Sequence, residues 1–269
     1  MERQGSASYI AELIGTFFLV LFICMAVTVT AHDGLTTPAL LVIALSHAIV
    51  LAMAIYALGG TSGAHFNPAV TTTLLALRKI QPVDAAIYVV MQVLGAIAAA
   101  LVCKVLIGDF GEATHYAAPA LSDIVAGKGA GFLAEGLGVF VLLWSIMAMA
   151  VNPRAEKGWA GLIIGGTLGL CVLAFGALTG AALNPARAFG PALVSGEFGG
   201  AGTFLLVYVL APVVGGALAG FGYTELVLKD QERRWGGRLV DVDVPPGQLV
   251  DEIEAETRGP GERPIDKLS

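Results

Sequence analysis

Long apolar runs broken by short polar turns set the pattern of this chain. They cover about Tyr9 to Ala31, Pro38 to Leu58, Pro82 to Ile107, Gly129 to Val151, Trp159 to Leu178 and Gly202 to Leu226. An α-helix needs about 20 apolar residues to cross a bilayer, and each run is long enough. The turns between them include His32-Asp33-Gly34, the long loop from Gly108 to Lys128, and the charged stretch from Asn152 to Gly158. Two more apolar segments, Asn67 to Leu77 and Asn184 to about Val194, are too short to cross.

Both short segments open on Asn-Pro-Ala, after the small-residue stretches GGTSGAHF and GALTGAAL. Proline in an apolar helical run marks the first helical position or a break. An asparagine just before it is a natural N-cap. Asn67-Pro68-Ala69 and Asn184-Pro185-Ala186 therefore predict two short helices that begin inside a hydrophobic region, 117 residues apart.

The rest of the chain repeats at nearly the same distance. YVVMQVLGAIAAA from Tyr88 aligns with YVLAPVVGGALAG from Tyr208, and Ala11-Glu12 with Gly15 recurs as Ala134-Glu135 with Gly138. Each half holds three spans and one short segment. Three is odd, so the second half enters the membrane the other way up, an inverted repeat of the kind found in many transport proteins.

Composition supports a membrane setting. The chain is 56% hydrophobic and 13% charged, with mean hydropathy +0.79, against about 25% charged in a soluble domain. Its 35 glycines suit close helix packing in lipid. A net charge of −6 and the lack of a basic tract argue against nucleic acid as a partner. Cys24, Cys103 and Cys171 lie in apolar runs without metal spacing and read as small buried packing groups. The start of the chain does not read as a cleavable signal peptide, because Glu12 interrupts its apolar run.

Basic residues in short loops set orientation. Arg3, Arg78-Lys79, Arg154, Lys157 and the cluster Lys229, Arg233, Arg234 and Arg238 fall on one side, predicting that both termini are cytoplasmic. From Lys229 onward ten acidic and seven basic residues with little apolar periodicity predict a solvated, disordered tail. Val240 to Val244 alternates as a short strand would. The division is then residues 1–8 as N-terminus, 9–227 as channel domain and 228–269 as tail, with repeats at about 9–107 and 129–227.

Short helices starting at membrane depth cannot expose loop backbone to lipid; they must line a cavity or pack in protein. If both loops fold inward, their N-termini meet near the midplane and their dipoles point at one spot. An asparagine amide from each side could then donate to a passing solute, while cations and protons meet a barrier. Structural capping alone explains one such loop but not a symmetric pair. Arg187, one turn into the second short helix, is costly at that depth unless it faces a wet cavity or paired groups. Glu12 and Glu135 occupy equivalent intramembrane positions; they could relay protons, but pairing with backbone N–H groups of the loops fits them better. Gln92, without a twin at Pro212, reads as a packing or loop-satisfying amide.

SGAHFNPAV (62–70) and GAALNPARAFGPA (180–192), set in an inverted repeat, make the chain resemble the aquaporin/major intrinsic protein family over about residues 9–227. The resemblance implies an all-α membrane fold of six spans and two re-entrant half-helices, a pore in each protomer, and a homotetramer. It implies that Asn67 and Asn184 donate to permeating molecules at the pore centre and that Arg187 lines a narrower filter toward the outside. Aligned to the family, the other filter positions are His47, Val172 and Ala181. Water-selective members place histidine in the fifth span and phenylalanine in the second; here histidine stands in the second and valine in the fifth. That departure resembles the plant tonoplast subgroup, some of whose members also pass ammonia. Ala188 and Ala192 replace the aspartate and the basic residue usual in glycerol-conducting members, which favours water. His47 either lines the pore or bonds a neighbouring helix, and His65 either pins its loop or lines the cytoplasmic half of the pore. His115 reads as a surface residue.

The expectation is a passive water channel of the plasma (inner) membrane that also admits small neutral solutes such as ammonia, without cofactor or metal. A glycerol or small-neutral-solute facilitator is the alternative. An intramembrane enzyme would need clustered acid, base or nucleophile, and the four histidines are dispersed. A coupled transporter would have only Glu12 and Glu135 to titrate.

Overall fold

The computed structural model describes residues 3–235. Helix α1 runs over Ser6–Thr30, α2 over Thr37–Ser62, α3 over Pro68–Ala76 and α4 over Pro82–Ile107. A 3-10 segment, Gly108–Ala117, leads to α5, Gly127–Ile146, which continues as a π turn over Met147–Val151. Then come α6, Ala160–Thr179, and α7, Pro185–Ser195. The last span is one helical run through α8 (Ala201–Thr203), α9 (Ala211–Tyr223) and α10 (Lys229–Trp235), joined by π segments. Among the described residues, six helical stretches are long and apolar enough to cross a membrane. Their outward faces carry Leu45, Ile49, Val105, Leu170 and Leu218, all more than half exposed, a surface that suits lipid rather than water.

The halves pack as the repeat implies. α1 lies on α4 and α5 on α9, while α2 and α6 meet across the two halves. Each short helix crosses over: α7 packs on α4, and α3 packs on α9. Neither half is complete alone. At 1.5 Å per residue α3 and α7 are about 14 and 17 Å long, together about one hydrocarbon thickness of 30 Å.

Two boundaries differ from the sequence reading. The first half of the GGTSGAHF stretch is helix, since α2 runs on through Gly59 and Gly60 to Ser62. Glycine lowers helix propensity by only about 1 kcal/mol, which the hydrogen bonds of Thr61 and Ser62 to Ser8, Glu12 and Tyr88 at the helix end offset. The chain leaves the helix only at Gly63, whose φ of 83° closes the cap. The stretch expected as solvated tail from Lys229 begins as helix α10, with Lys229 paired to Glu225 at 2.6 Å one turn back. The remainder of the tail, including the strand read at Val240 to Val244, lies outside the described residues.

Candidate functional site

The site is built from two matched loops. Gly63 and Gly180, at φ 83° and 77°, end α2 and α6. Each is followed by non-glycine residues in the left-handed region: Ala64 and Phe66 at φ 52° and 47°, Ala181 and Leu183 at 40° and 52°. Such a conformation costs about 1–2 kcal/mol per residue, so each loop stores about 2–4 kcal/mol of strain.

Glu12 and Glu135 hold those loops in place. Glu12 Oε1 accepts from the His65 N–H at 2.9 Å and the Ser62 hydroxyl at 2.7 Å, and its Oε2 accepts from the Phe66 N–H and Gln92 Nε2, both at 2.7 Å. Glu135 repeats the pattern, accepting from the Ala182 N–H at 2.9 Å, the Leu183 N–H at 2.7 Å and the Thr179 hydroxyl at 2.6 Å. Every partner donates, the arrangement an acceptor-only carboxylate requires. Hydrogen bonds to a charged group contribute about 1.5–3 kcal/mol each, enough to offset the loop strain. The Ala-Glu-x-x-Gly repeat acquires a second meaning here. A Cβ on Gly15 would strike the Phe66 ring, and one on Gly138 would strike the Leu183 side chain.

These anchors bring both Asn-Pro-Ala turns together at the centre of the bundle. Asn67 caps α3, its Oδ1 accepting from the Ala69 N–H at 2.9 Å, and Asn184 caps α7 through the Ala186 and Arg187 N–H groups at 3.0 and 3.2 Å. Their amides cross over. Asn67 Nδ2 donates to the Leu183 carbonyl at 2.9 Å, and Asn184 Nδ2 donates to the Phe66 carbonyl at 2.8 Å. One N–H of each amide is thereby used, and one remains. Pro68 and Pro185 fill the first helical positions, where no N–H is needed.

A cavity of about 710 Å³ opens on this centre. Its wall includes Lys79 and Lys157 at the loop end and Asn67, Asn184, His47 and Arg187 inside the bundle. The last four are each at most 5% exposed. Lys157 Nζ donates to the carbonyls of Ala150 and Asn152 at 2.9 and 2.8 Å, tying the α5–α6 connection to the cavity rim.

Arg187 Nη1 donates to the Ala117 carbonyl at 3.0 Å, while its buried Nε has no protein partner among the described residues. His47 Nδ1 lies 2.8 Å from the Ile43 carbonyl on its own helix and must donate to it, leaving Nε2 without a partner among the described residues. His47 thus satisfies one nitrogen locally and keeps an acceptor in the cavity wall. Val172 and Ala181, grouped with these two by the sequence reading, are 1% and 0% exposed and lie outside that cavity wall. Ala182 and Leu183 occupy it instead. His65 Nδ1 is 3.1 Å from Thr71 Oγ1, and the residue lies in the cavity wall. Gln92 satisfies loop and helix at once, donating to Glu12 and to Thr71 Oγ1 at 3.0 Å. His115 is exposed.

Sequence reasoning missed two participants. Tyr88 and Tyr208 donate to the Ser62 and Thr179 carbonyls at 2.8 and 3.0 Å, sealing the ends of α2 and α6. Their recurrence in the repeat was the available signal. The Ala117 carbonyl carried no signal.

The comparisons agree with the geometry. The Major intrinsic protein family matches residues 2–223. The chain is 39% identical to the glycerol uptake facilitator protein-like 6 of Lactiplantibacillus plantarum over 79% of this chain and 94% of that one. It is 38% identical to the aquaporin AqpM of Methanothermobacter thermautotrophicus, covering 81% and 96%. It is 37% identical to nodulin-26 of Glycine max, covering 78% and 74%. Among solved structures, the aquaglyceroporin from Plasmodium falciparum superposes with a TM-score of 0.70 at 22% identity, over 85% of this chain and 98% of that one.

Proposed function

The chain belongs to the major intrinsic protein family of membrane channels, and on that premise we propose that it is a passive water channel that also admits small neutral solutes such as ammonia. One observation carries the reading. Two helix N-termini meet at a buried centre where Asn67 and Asn184 each retain an amide N–H after their mutual ties. A neutral molecule with a lone pair is stabilised there, and a cation is opposed by both dipoles and by Arg187. Asn67, Pro68, Ala69, Asn184, Pro185 and Ala186 form the pore centre; His47, Val172, Ala181 and Arg187 form the filter; Glu12, His65 and Glu135 support the loops or line the pore.

The channel unit is residues 9–227. On the basic-loop pattern both termini are cytoplasmic in the plasma (inner) membrane, and on the family resemblance the assembly is a homotetramer.

Stopped-flow shrinkage of proteoliposomes tests the function. Water flux should exceed the lipid background by about tenfold or more without an ion gradient. Background flux in folded protein would sink the reading.

A second reading, a glycerol or small-neutral-solute facilitator, is favoured by the small side chains Val172 and Ala181 at two filter positions. The relative named as a glycerol uptake facilitator protein-like is consistent with it. Swelling in glycerol and internal alkalinisation on ammonium addition, in the same vesicles, separate the two readings.

A further inference from the structure

The connection between α4 and α5 contains a run of strained backbone. His115, Tyr116 and Ala117 are consecutive non-glycine residues in the left-handed region, with φ of 49°, 52° and 71°. The turn closes through the Ala118 N–H, which donates to the His115 carbonyl at 3.0 Å. It presents the next carbonyl but one, that of Ala117, to Arg187 Nη1 at 3.0 Å. Three adjacent residues of this kind persist only where the surroundings over-determine them.

The side chain that does so is Tyr116. His115 is exposed and Ala117 has only a methyl group, whereas Tyr116 is 1% exposed. Its ring shares a buried cluster with Val20 and Cys24 of α1, Cys103 of α4 and Ala186 in the first turn of α7. Its hydroxyl donates to the Gly108 carbonyl at 3.1 Å, and Lys104 Nζ lies 5.2 Å from the ring centroid. Gly111 lies against the ring, with no room there for a Cβ. One aromatic side chain therefore ties the outer loop to two spans and to the half-helix that bears Arg187.

We propose that Tyr116 is a positioning residue of the channel: its buried ring pins the left-handed turn that holds the Ala117 carbonyl against Arg187, and so fixes the guanidinium in the cavity wall. This rests on the reading of Arg187 as a filter residue. Without the ring, the turn relaxes toward ordinary backbone, the carbonyl swings away, and the guanidinium loses the bond that orients it. The opening then widens for solutes larger than water.

Water and glycerol permeabilities of the full chain in proteoliposomes test this, with wild type, Tyr116→Phe, Tyr116→Leu and Tyr116→Ala compared. Tyr116→Ala and Tyr116→Leu should raise the glycerol-to-water ratio about threefold or more, and Tyr116→Phe, which keeps the ring, should stay within about twofold of wild type. In an Arg187→Ala background the same Tyr116 substitutions should leave the ratio where Arg187→Ala alone puts it, because residues acting as one unit are not additive. A wild-type ratio in a folded Tyr116→Ala or Tyr116→Leu channel would overturn the proposal, as would an equal shift in both backgrounds. Failure of both variants to yield a folded channel would assign Tyr116 to folding and overturn it too. Wild type without water flux would instead reject the channel reading itself.

Discussion

The amide of Asn67 donates to the Leu183 carbonyl at 2.9 Å, so the first half of the chain caps the loop of the second. Asn184 returns the bond to Phe66 at 2.8 Å. Each asparagine thus does two things, its oxygen capping its own helix and one N–H tying the opposite loop, and it keeps a second N–H that these ties do not use. Asn67→Asp and Asn184→Asp keep the capping oxygen but lose both donors. The new negative charge sits at two dipole-positive ends, which favours it locally, yet the opposite carbonyl is left unpaired and two acceptors face each other. We expect water permeability to fall about tenfold or more in either variant, and the thermal midpoint to drop as a buried carbonyl loses its partner at a cost of about 1–3 kcal/mol. Unchanged flux would remove the amides from the conduction path.

Glu12 and Glu135 give a matched pair of stability predictions. Glutamine at either position replaces one acceptor oxygen by an amide NH2 that faces an N–H donor, of Phe66 or His65 in one loop and of Leu183 or Ala182 in the other. Rotating the amide only moves the conflict to the other donor. We expect Glu12→Gln and Glu135→Gln each to destabilise the protein by about 1–3 kcal/mol, read as a lower unfolding midpoint in detergent. Among the described residues, every hydrogen bond to these carboxylates comes from a loop, from the helix end before it or from Gln92, and on that anchoring role vesicle proton leak should not change. A change in proton leak at preserved stability would restore the relay reading.

Gly190 sits where α7 crosses α4, and a Cβ placed there would lie 2.5 Å from the Ala96 carbonyl oxygen. That neighbour is helix backbone and cannot swing aside, so Gly190→Ala must push α7 away from α4. Overpacking of this kind costs about 1–3 kcal/mol. Arg187 lies three residues earlier on the same short helix, so the displacement reaches the cavity wall. The expected result is a lower unfolding midpoint together with altered glycerol-to-water selectivity. A variant with lower stability but wild-type selectivity would show that α7 absorbs the shift without moving Arg187.

Much of this arrangement was legible in the sequence because it is local or repeated. Asn-Pro announces a capped helix start wherever it occurs, and the odd number of spans per half dictates inversion. Ala-Glu-x-x-Gly at two equivalent positions pointed to loop anchoring by Glu12 and Glu135. What could not be read was contact between backbone and a distant side chain. The Asn67 tie ends on a carbonyl 116 residues away, and carbonyls leave no trace in composition. The Tyr116 turn was hidden for a different reason: left-handed backbone is normally advertised by glycine or asparagine, and here it is built from histidine, tyrosine and alanine. The length of α2 is hard to read because Gly59 and Gly60 look like breakers, yet the helix continues past them to Ser62, which Glu12 and Tyr88 anchor.

The filter assignment is the part that a single substitution examines most directly. Family alignment groups Val172 with His47, Ala181 and Arg187, yet His47 and Arg187 lie in the cavity wall while Val172 is buried outside it. Both facts are compatible if Val172 lies just beyond the point where the passage narrows, with its methyl groups closing the gap. Val172→His then adds a longer, polar side chain at that position. Glycerol must pass with several hydroxyls hydrogen-bonded at once, whereas water needs far less width, so the narrowing falls on the larger solute. We expect glycerol permeability to drop about tenfold with water permeability held within about threefold. An unaltered pair of permeabilities in folded protein would remove Val172 from the conduction path. Equal loss of both would mean that the histidine blocks the passage rather than narrows it.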